Sequence, residues 1–171
     1  VYNIPHLLNA LSKIKSQIPN LRLNLIGGGS KREFIEKLVK ELGLTNFTKF
    51  YGKIPQSEMV KILNKSHVFV SVSLSDGNNI SLNEAMACGI FPIVTDIAAN
   101  TQWITHQENG FLVAINDVVQ LADLILESYN HYSEWSEKSF KINQKIIHEK
   151  ADWHKNLKIV ENKYMLLTNG Q

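Results

Sequence analysis

The sequence predicts an α/β fold: an open parallel sheet with helices on both faces. Three observations point there. Apolar runs of four to six residues alternate along the chain with segments of helical period. Each run ends in a turn rich in glycine or polar residues before the next helix begins. The composition, 44% apolar and 20% charged over 171 residues, is that of an ordinary globular chain able to bury a core as one domain with an appendage.

The elements follow in order. Residues 5–18 read as a helix, with Leu7, Leu8, Leu11, Ile14 and Ile18 on one stripe and Pro5 in the first turn. Residues 21–26 form a strand, then Gly27, Gly28, Gly29 and Ser30 a turn. A second helix spans 31–42, with Phe34, Ile35, Leu38, Val39 and Leu42 directed inward and Gly43 as its stop. A strand at 48–51, a helix at 57–64 and a buried strand at 67–72 come next. A polar loop leads to a helix at 81–87 ended by Gly89. Strands follow at 92–95 and 110–113, with 96–101 a loop between them. Asp117 caps a helix running to 129, and 133–167 is helical with a break at Ala151 and a restart at Asp152. Trp153, Leu157, Val160, Tyr164 and Leu167 share one stripe of the last helix, a face shaped to cover something.

Charge and cysteine content exclude several function classes. Eighteen basic and sixteen acidic residues give +2, with no block of like charge, so no nucleic-acid binding is expected. No apolar run reaches the roughly 18 residues of a membrane span. The lone Cys88 forms neither an internal disulfide nor a zinc site, which suits a reducing cytoplasm. The histidines at 6, 67, 106, 131, 148 and 154 lack metal-ligand spacing, and no metal or cofactor is expected.

In open parallel sheets ligands bind beyond the carboxyl ends of the strands. The glycine turn at 27–30 offers backbone amides to a phosphate, or is simply a tight turn. A dinucleotide site is disfavoured, because Arg32 stands where a third glycine belongs and no acid ends the next strand. The loop at 73–81 is richer. Asp76 and Glu84 flank amides and hydroxyls at a helix N-terminus, whose free donors and positive dipole end suit an anion. Each carboxylate also has a plain structural reading. Ser81-x-x-Glu84 is a capping box, and Asp76-Gly77 a turn.

Residues 75–89, followed by Pro92-Ile93-Val94-Thr95-Asp96, resemble the nucleotide-sugar-binding half of retaining glycosyltransferases of the GT-B fold, the group 1 or family 4 type. Leu25 to Gly29, Phe50-Tyr51-Gly52, Asn109 to Val113 and the stretch from Trp153 to Tyr164 match in the same order. The resemblance implies a Rossmann-like domain at 1–150 and a C-terminal helix at 151–171 that crosses to another domain. It implies that Glu84 holds the ribose and Asp76, the catalytic candidate, the transferred sugar. Asn78, Asn79, Ile80 and Ser81 would meet that sugar and the diphosphate, with Gly27 and Gly28 beside them. Lys53 and Ile54 would hold the base.

The implied donor is a UDP- or GDP-sugar such as GDP-mannose. It is transferred with retention to a glycan or lipid-linked acceptor, in surface polysaccharide or lipopolysaccharide synthesis. Cytoplasmic location and peripheral membrane association of the whole protein are implied in the same way. Asp76 replaces the usual glutamate, and Gln102 stands where many relatives carry an acid. The chain opens at Val1 without a methionine, so the first strand, its diphosphate-binding basic pair and the acceptor domain are expected upstream. The fragment alone is then expected to be inactive. A sugar epimerase of the same fold and a non-catalytic nucleotide-binding or interaction module are the rival readings.

Overall fold

The structure is a computed structural model that describes residues 2–168. Val1 and residues 169–171 of the expected last segment lie outside the described residues. Helix α1 (Ile4–Ile14) leads to strand β1 (Leu23–Ile26), α2 (Arg32–Glu41), β2 (Thr48–Gly52), α3 (Gln56–Leu63) and β3 (Val68–Ser71). Helix α4 (Ile80–Ala87), β4 (Phe91–Thr95), α5 (Ala98–Thr101) and β5 (Phe111–Val113) follow, then α6 (Val118–Asn130), α7 (Tyr132–Lys150) and α8 (Trp153–Thr168). All five expected strands are present, and every ladder is parallel.

The strands form two ladders rather than one sheet. β1 pairs with β2, and β3, β4 and β5 pair in that order. Among the described residues no ladder joins β1 to β3. Both flank the same core beneath α1, where Leu7, Leu8, Leu11 and Ile14 pack with Leu23, Val68, Val70, Phe91, Phe111 and residues of α6. Burying each such aliphatic side chain contributes roughly 1.5–3 kcal/mol, so α1 holds the two ladders together. The opposite face of β4 carries Val94, packed with Leu82 and Met86 of α4, Ile104, and Ile146 and Ile147 of α7. Helices therefore cover both faces, and all five residues of β4 are buried.

Two sequence expectations change. Phe34, expected inside, is 53% exposed, because Ile35, Leu38 and Val39 already supply the inward face of α2. The loop at 96–101 contains the short helix α5. Among the described residues, the stripe of α8 covers nothing on this domain. Trp153 is 73% exposed, Tyr164 68% and Leu167 74%, and no described residue of α8 is buried. The break at Ala151 and the restart hold, with the Asp152 carboxylate accepting from the Lys155 N–H at 3.1 Å. That bond holds the Asp152 carboxyl below its ordinary range.

Candidate functional site

The loops after β1, β2, β3 and β4 are tied to one another at the carboxyl ends of the strands. The first two meet where the Gly27 N–H donates to the Gly52 carbonyl at 2.8 Å. Both glycines have positive φ, +115° and +69°, which only glycine adopts without strain. No atom lies where a Cβ on Gly27 would make contact, so conformation rather than crowding requires glycine there. A Cβ on Gly28 would lie 3.6 Å from Lys53 Cγ, which sets the exposed Lys53 beside the turn. Ile54, half-buried, follows. Arg32 reaches the same place: a Cβ on Gly52 would lie 3.5 Å from its Nη1, while its Nε donates to Glu36 at 2.7 Å.

The second loop meets α4 through Gln56, whose Nε2 donates to Glu84 Oε1 at 3.2 Å. The capping box on Ser81 does not form. Asn79 is the N-cap, and its Oδ1 accepts from the Leu82 N–H at 3.1 Å. The helix starts at Ile80 rather than Ser81, and that shift removes Glu84 from the position where it would reach back to the cap. Glu84 lies instead one turn inside α4, half-buried, with its carboxylate directed at the loop after β2. Its charge has one further effect. Burial, and then the Glu84 carboxylate, push the Cys88 thiol above its ordinary value, so Cys88 stays a neutral thiol.

Asp76 follows its structural reading in part. Its Oδ1 accepts from the Asn78 N–H at 3.3 Å, an Asx turn, and the side chain remains exposed. Asn78 is exposed beside it, and Asn79 is buried. The Asn79 side chain is fully committed inward: Nδ2 donates to Ser71 Oγ at 3.1 Å and to Asn100 Oδ1 at 3.0 Å. Only the backbone of Asn79 is left to face a ligand. The Ile80 N–H is taken by the Asn78 carbonyl at 3.0 Å, and the Ile80 side chain is 65% exposed. The N–H of Ser81 has no hydrogen bond among the described residues and is the open donor at the start of α4.

The loop after β4 anchors this arrangement. Asn100, wholly buried, donates from Nδ2 to the Thr95 carbonyl at 2.8 Å, and the Thr95 hydroxyl donates to the Ser73 carbonyl at 2.6 Å. Trp103 Nε1 donates to Asn78 Oδ1 at 3.2 Å. The structure thus gathers Gly27, Gly28, Lys53, Ile54, Asp76 and Asn78 on three linked loops, with Ser81 and Glu84 at the start of α4. It adds Gln56 and Asn100, which the sequence did not single out, and Trp103, which the sequence reads as a core or interface anchor. Buried amide pairs leave no periodic signal, whereas the position of Gln56, just after the Lys53–Ile54 pair, could have prompted its choice. The arrangement offers an amide donor at a helix N-terminus between two carboxylates, suited to an anion whose flanks carry hydroxyls. Among the described residues no group of three or more acidic, histidine or cysteine side chains is placed to hold a metal ion.

Comparisons with known proteins agree with this fold. An uncharacterized glycosyltransferase of Methanocaldococcus jannaschii is 27% identical over 168 residues, 95% of this chain and 41% of the relative. The solved sucrose-phosphate synthase of Thermosynechococcus elongatus superposes with a TM-score of 0.86 at 24% identity, over 96% of this chain and 43% of that one. HepE of Anabaena, solved with UDP and glucose, superposes with a TM-score of 0.82 at 20% identity, over 94% of this chain and 44% of that one. These likenesses show the Rossmann-like fold of GT-B transferases, and the chain spans less than half the length of each protein. The family described as glycosyl transferases group 1 matches residues 1–145, most of the 171, and the chain belongs to that family.

Proposed function

We propose that this domain binds a nucleotide diphosphate sugar, a UDP- or GDP-sugar, for transfer with retention at the anomeric carbon. The observation that carries the reading is Glu84. Helix α4 is capped by Asn79, so the Glu84 carboxylate is not used as a cap and faces the second loop. A carboxylate so placed accepts both hydroxyls of a ribose. Asp76, across the helix N-terminus, orients the hydroxyls of the transferred sugar. Between them the Ser81 N–H and the positive end of α4 stabilise the diphosphate as negative charge develops on it. Lys53 and Ile54 flank the base, with the open backbone of Gly27 and Gly28 alongside.

The acceptor, a glycan or lipid-linked chain of a surface polysaccharide, is met by a second domain in this reading. Among the described residues no ladder occupies the facing edges of β1 and β3, which supports one further parallel strand between them. The chain enters α1 beside the end of β3, where the Asn3 N–H donates to the Val72 carbonyl at 3.1 Å. A strand there, with the basic pair expected on it, completes the diphosphate site, and α8 crosses to the acceptor domain. Cytoplasmic action at a membrane surface is part of the same proposal. HepE, solved with UDP and glucose, supports a UDP-sugar over a GDP-sugar as the first donor to test.

The test uses the whole protein containing this chain. Incubated with UDP-sugars and GDP-sugars and an oligosaccharide acceptor, it should give a product whose anomeric proton coupling by NMR matches the donor's. An inverted coupling contradicts the mechanism. Nucleotide binding without turnover on any donor favours the non-catalytic module.

A further inference from the structure

We infer that Trp103 is a positioning residue that fixes which face of Asn78 a bound sugar meets. The inference rests on the nucleotide-sugar reading of the site and adds to it. An indole N–H only donates. Its bond to Asn78 at 3.2 Å therefore fixes the oxygen of that side-chain amide toward Trp103. The Nδ2 amino group must then point the other way, toward the exposed side of the loop. It makes no hydrogen bond among the described residues.

The Asp76 carboxylate lies on the same turn, held by the Asn78 N–H at 3.3 Å. The loop therefore presents an acceptor and a donor side by side, Asp76 and the amino group of Asn78. Two neighbouring hydroxyls of a sugar match that pair, one donating to Asp76 and the other accepting from Asn78. A freely rotating Asn78 would offer its oxygen half of the time and blur the match.

Trp103 is itself held firmly. Its ring packs with Leu82, Met86, Val94 and Ile104, and its carbonyl accepts from Asn109 Nδ2 at 2.9 Å. Asn109 is locked in turn to Asn143 of α7, donating to its Oδ1 at 2.8 Å and accepting from its Nδ2 at the backbone carbonyl at 3.1 Å. The indole is thus a fixed donor and the loop amide the movable partner.

The experiment compares UDP, UDP-glucose and UDP-N-acetylglucosamine on the ¹⁵N-labelled whole protein containing this chain and on its Trp103→Phe variant, which keeps an aromatic ring and removes the N–H. The expected result is unchanged UDP affinity, within about twofold, with loss of the difference between UDP and either UDP-sugar. A purely structural role would weaken all three ligands together. Asn78→Ala, on an exposed loop, gives a readout without ligand: the Trp103 indole N–H should exchange faster and its resonance move.

Retention of the sugar-dependent difference in Trp103→Phe overturns the inference. So does an indole resonance indifferent to Asn78→Ala, or a wild-type protein that binds both UDP-sugars no differently from UDP. If UDP perturbs no resonance of residues 76–84, the nucleotide-sugar reading itself fails, which separates the two outcomes.

Discussion

Glu84 shows how much one capping residue decides. Read from the sequence, Ser81-x-x-Glu84 explains the glutamate as part of a helix end, and the spacing alone does not reject that. The structure rejects it because Asn79 captures the Leu82 N–H first, and an asparagine is at least as good a cap as a serine. The deciding information is tertiary. Asn79 is held by Ser71 and Asn100, 8 and 21 residues away in sequence, and no local pattern encodes those contacts. Asp76, by contrast, was legible both as a turn residue and as an exposed carboxylate, and it is both.

His6 carries a prediction at the same scale. It is 5% exposed, its Nε2 has no hydrogen-bond partner among the described residues, and burial holds its pKa below 6.5 against the opposing influence of Asp117. The unfolded chain therefore takes up this proton before the folded one does. Stability contributed by neutral His6 is full above pH 6.5 and falls as the pH drops below it. Urea midpoints at about pH 7.5 and about pH 5.5 should differ less in His6→Gln than in the wild-type chain. Equal differences in the two proteins contradict this account.

At the scale of elements, short helices are set by their ends. Helix α4 is eight residues long and closes with Gly89 at φ +76°. The Gly89 N–H donates to the Met86 carbonyl and the Ile90 N–H to the Ala85 carbonyl, a Schellman pair. A Cβ at Gly89 would lie 2.6 Å from Phe140 Cε2 of α7. Gly89→Ala should therefore lose about 1–2 kcal/mol for the left-handed backbone, and more for the contact with Phe140. A chemical denaturation curve should show a lower midpoint at unchanged slope, while Gly29→Ala, with open space around it and an ordinary φ, shows little change. Equal effects at the two glycines would count against the packing described for α4.

This stop was readable from sequence, as was Asp117 at the start of α6, whose carboxylate accepts from the Gln120 N–H at 2.8 Å. The apolar stripe of α8 was readable as a pattern, but its partner was not. Periodicity states which face is apolar and is silent on what covers it. Phe34 was misplaced for a related reason: the stripe of α2 is wider than the core it meets.

For the whole molecule, alternation of short strands and helices was enough to give parallel β-structure with both faces covered. It was not enough to give the interruption between β1 and β3, since strand order is a long-range property that local patterns do not carry. The interruption leaves the site standing, because its loops are joined by their own hydrogen bonds: Gly27 to Gly52, Gln56 to Glu84, Asn79 to Asn100 and Asn78 to Trp103. The central claim is that these loops together bind a nucleotide through Glu84. It is tested most directly by calorimetric titration of the whole protein containing this chain, and of its Glu84→Ala variant, with UDP, GDP, ADP and NAD. The account predicts binding of UDP or GDP in preference to ADP and NAD, weakened about tenfold or more in Glu84→Ala, as loss of a charge-assisted hydrogen bond requires. Binding of neither UDP nor GDP, or equal binding by Glu84→Ala, would contradict it.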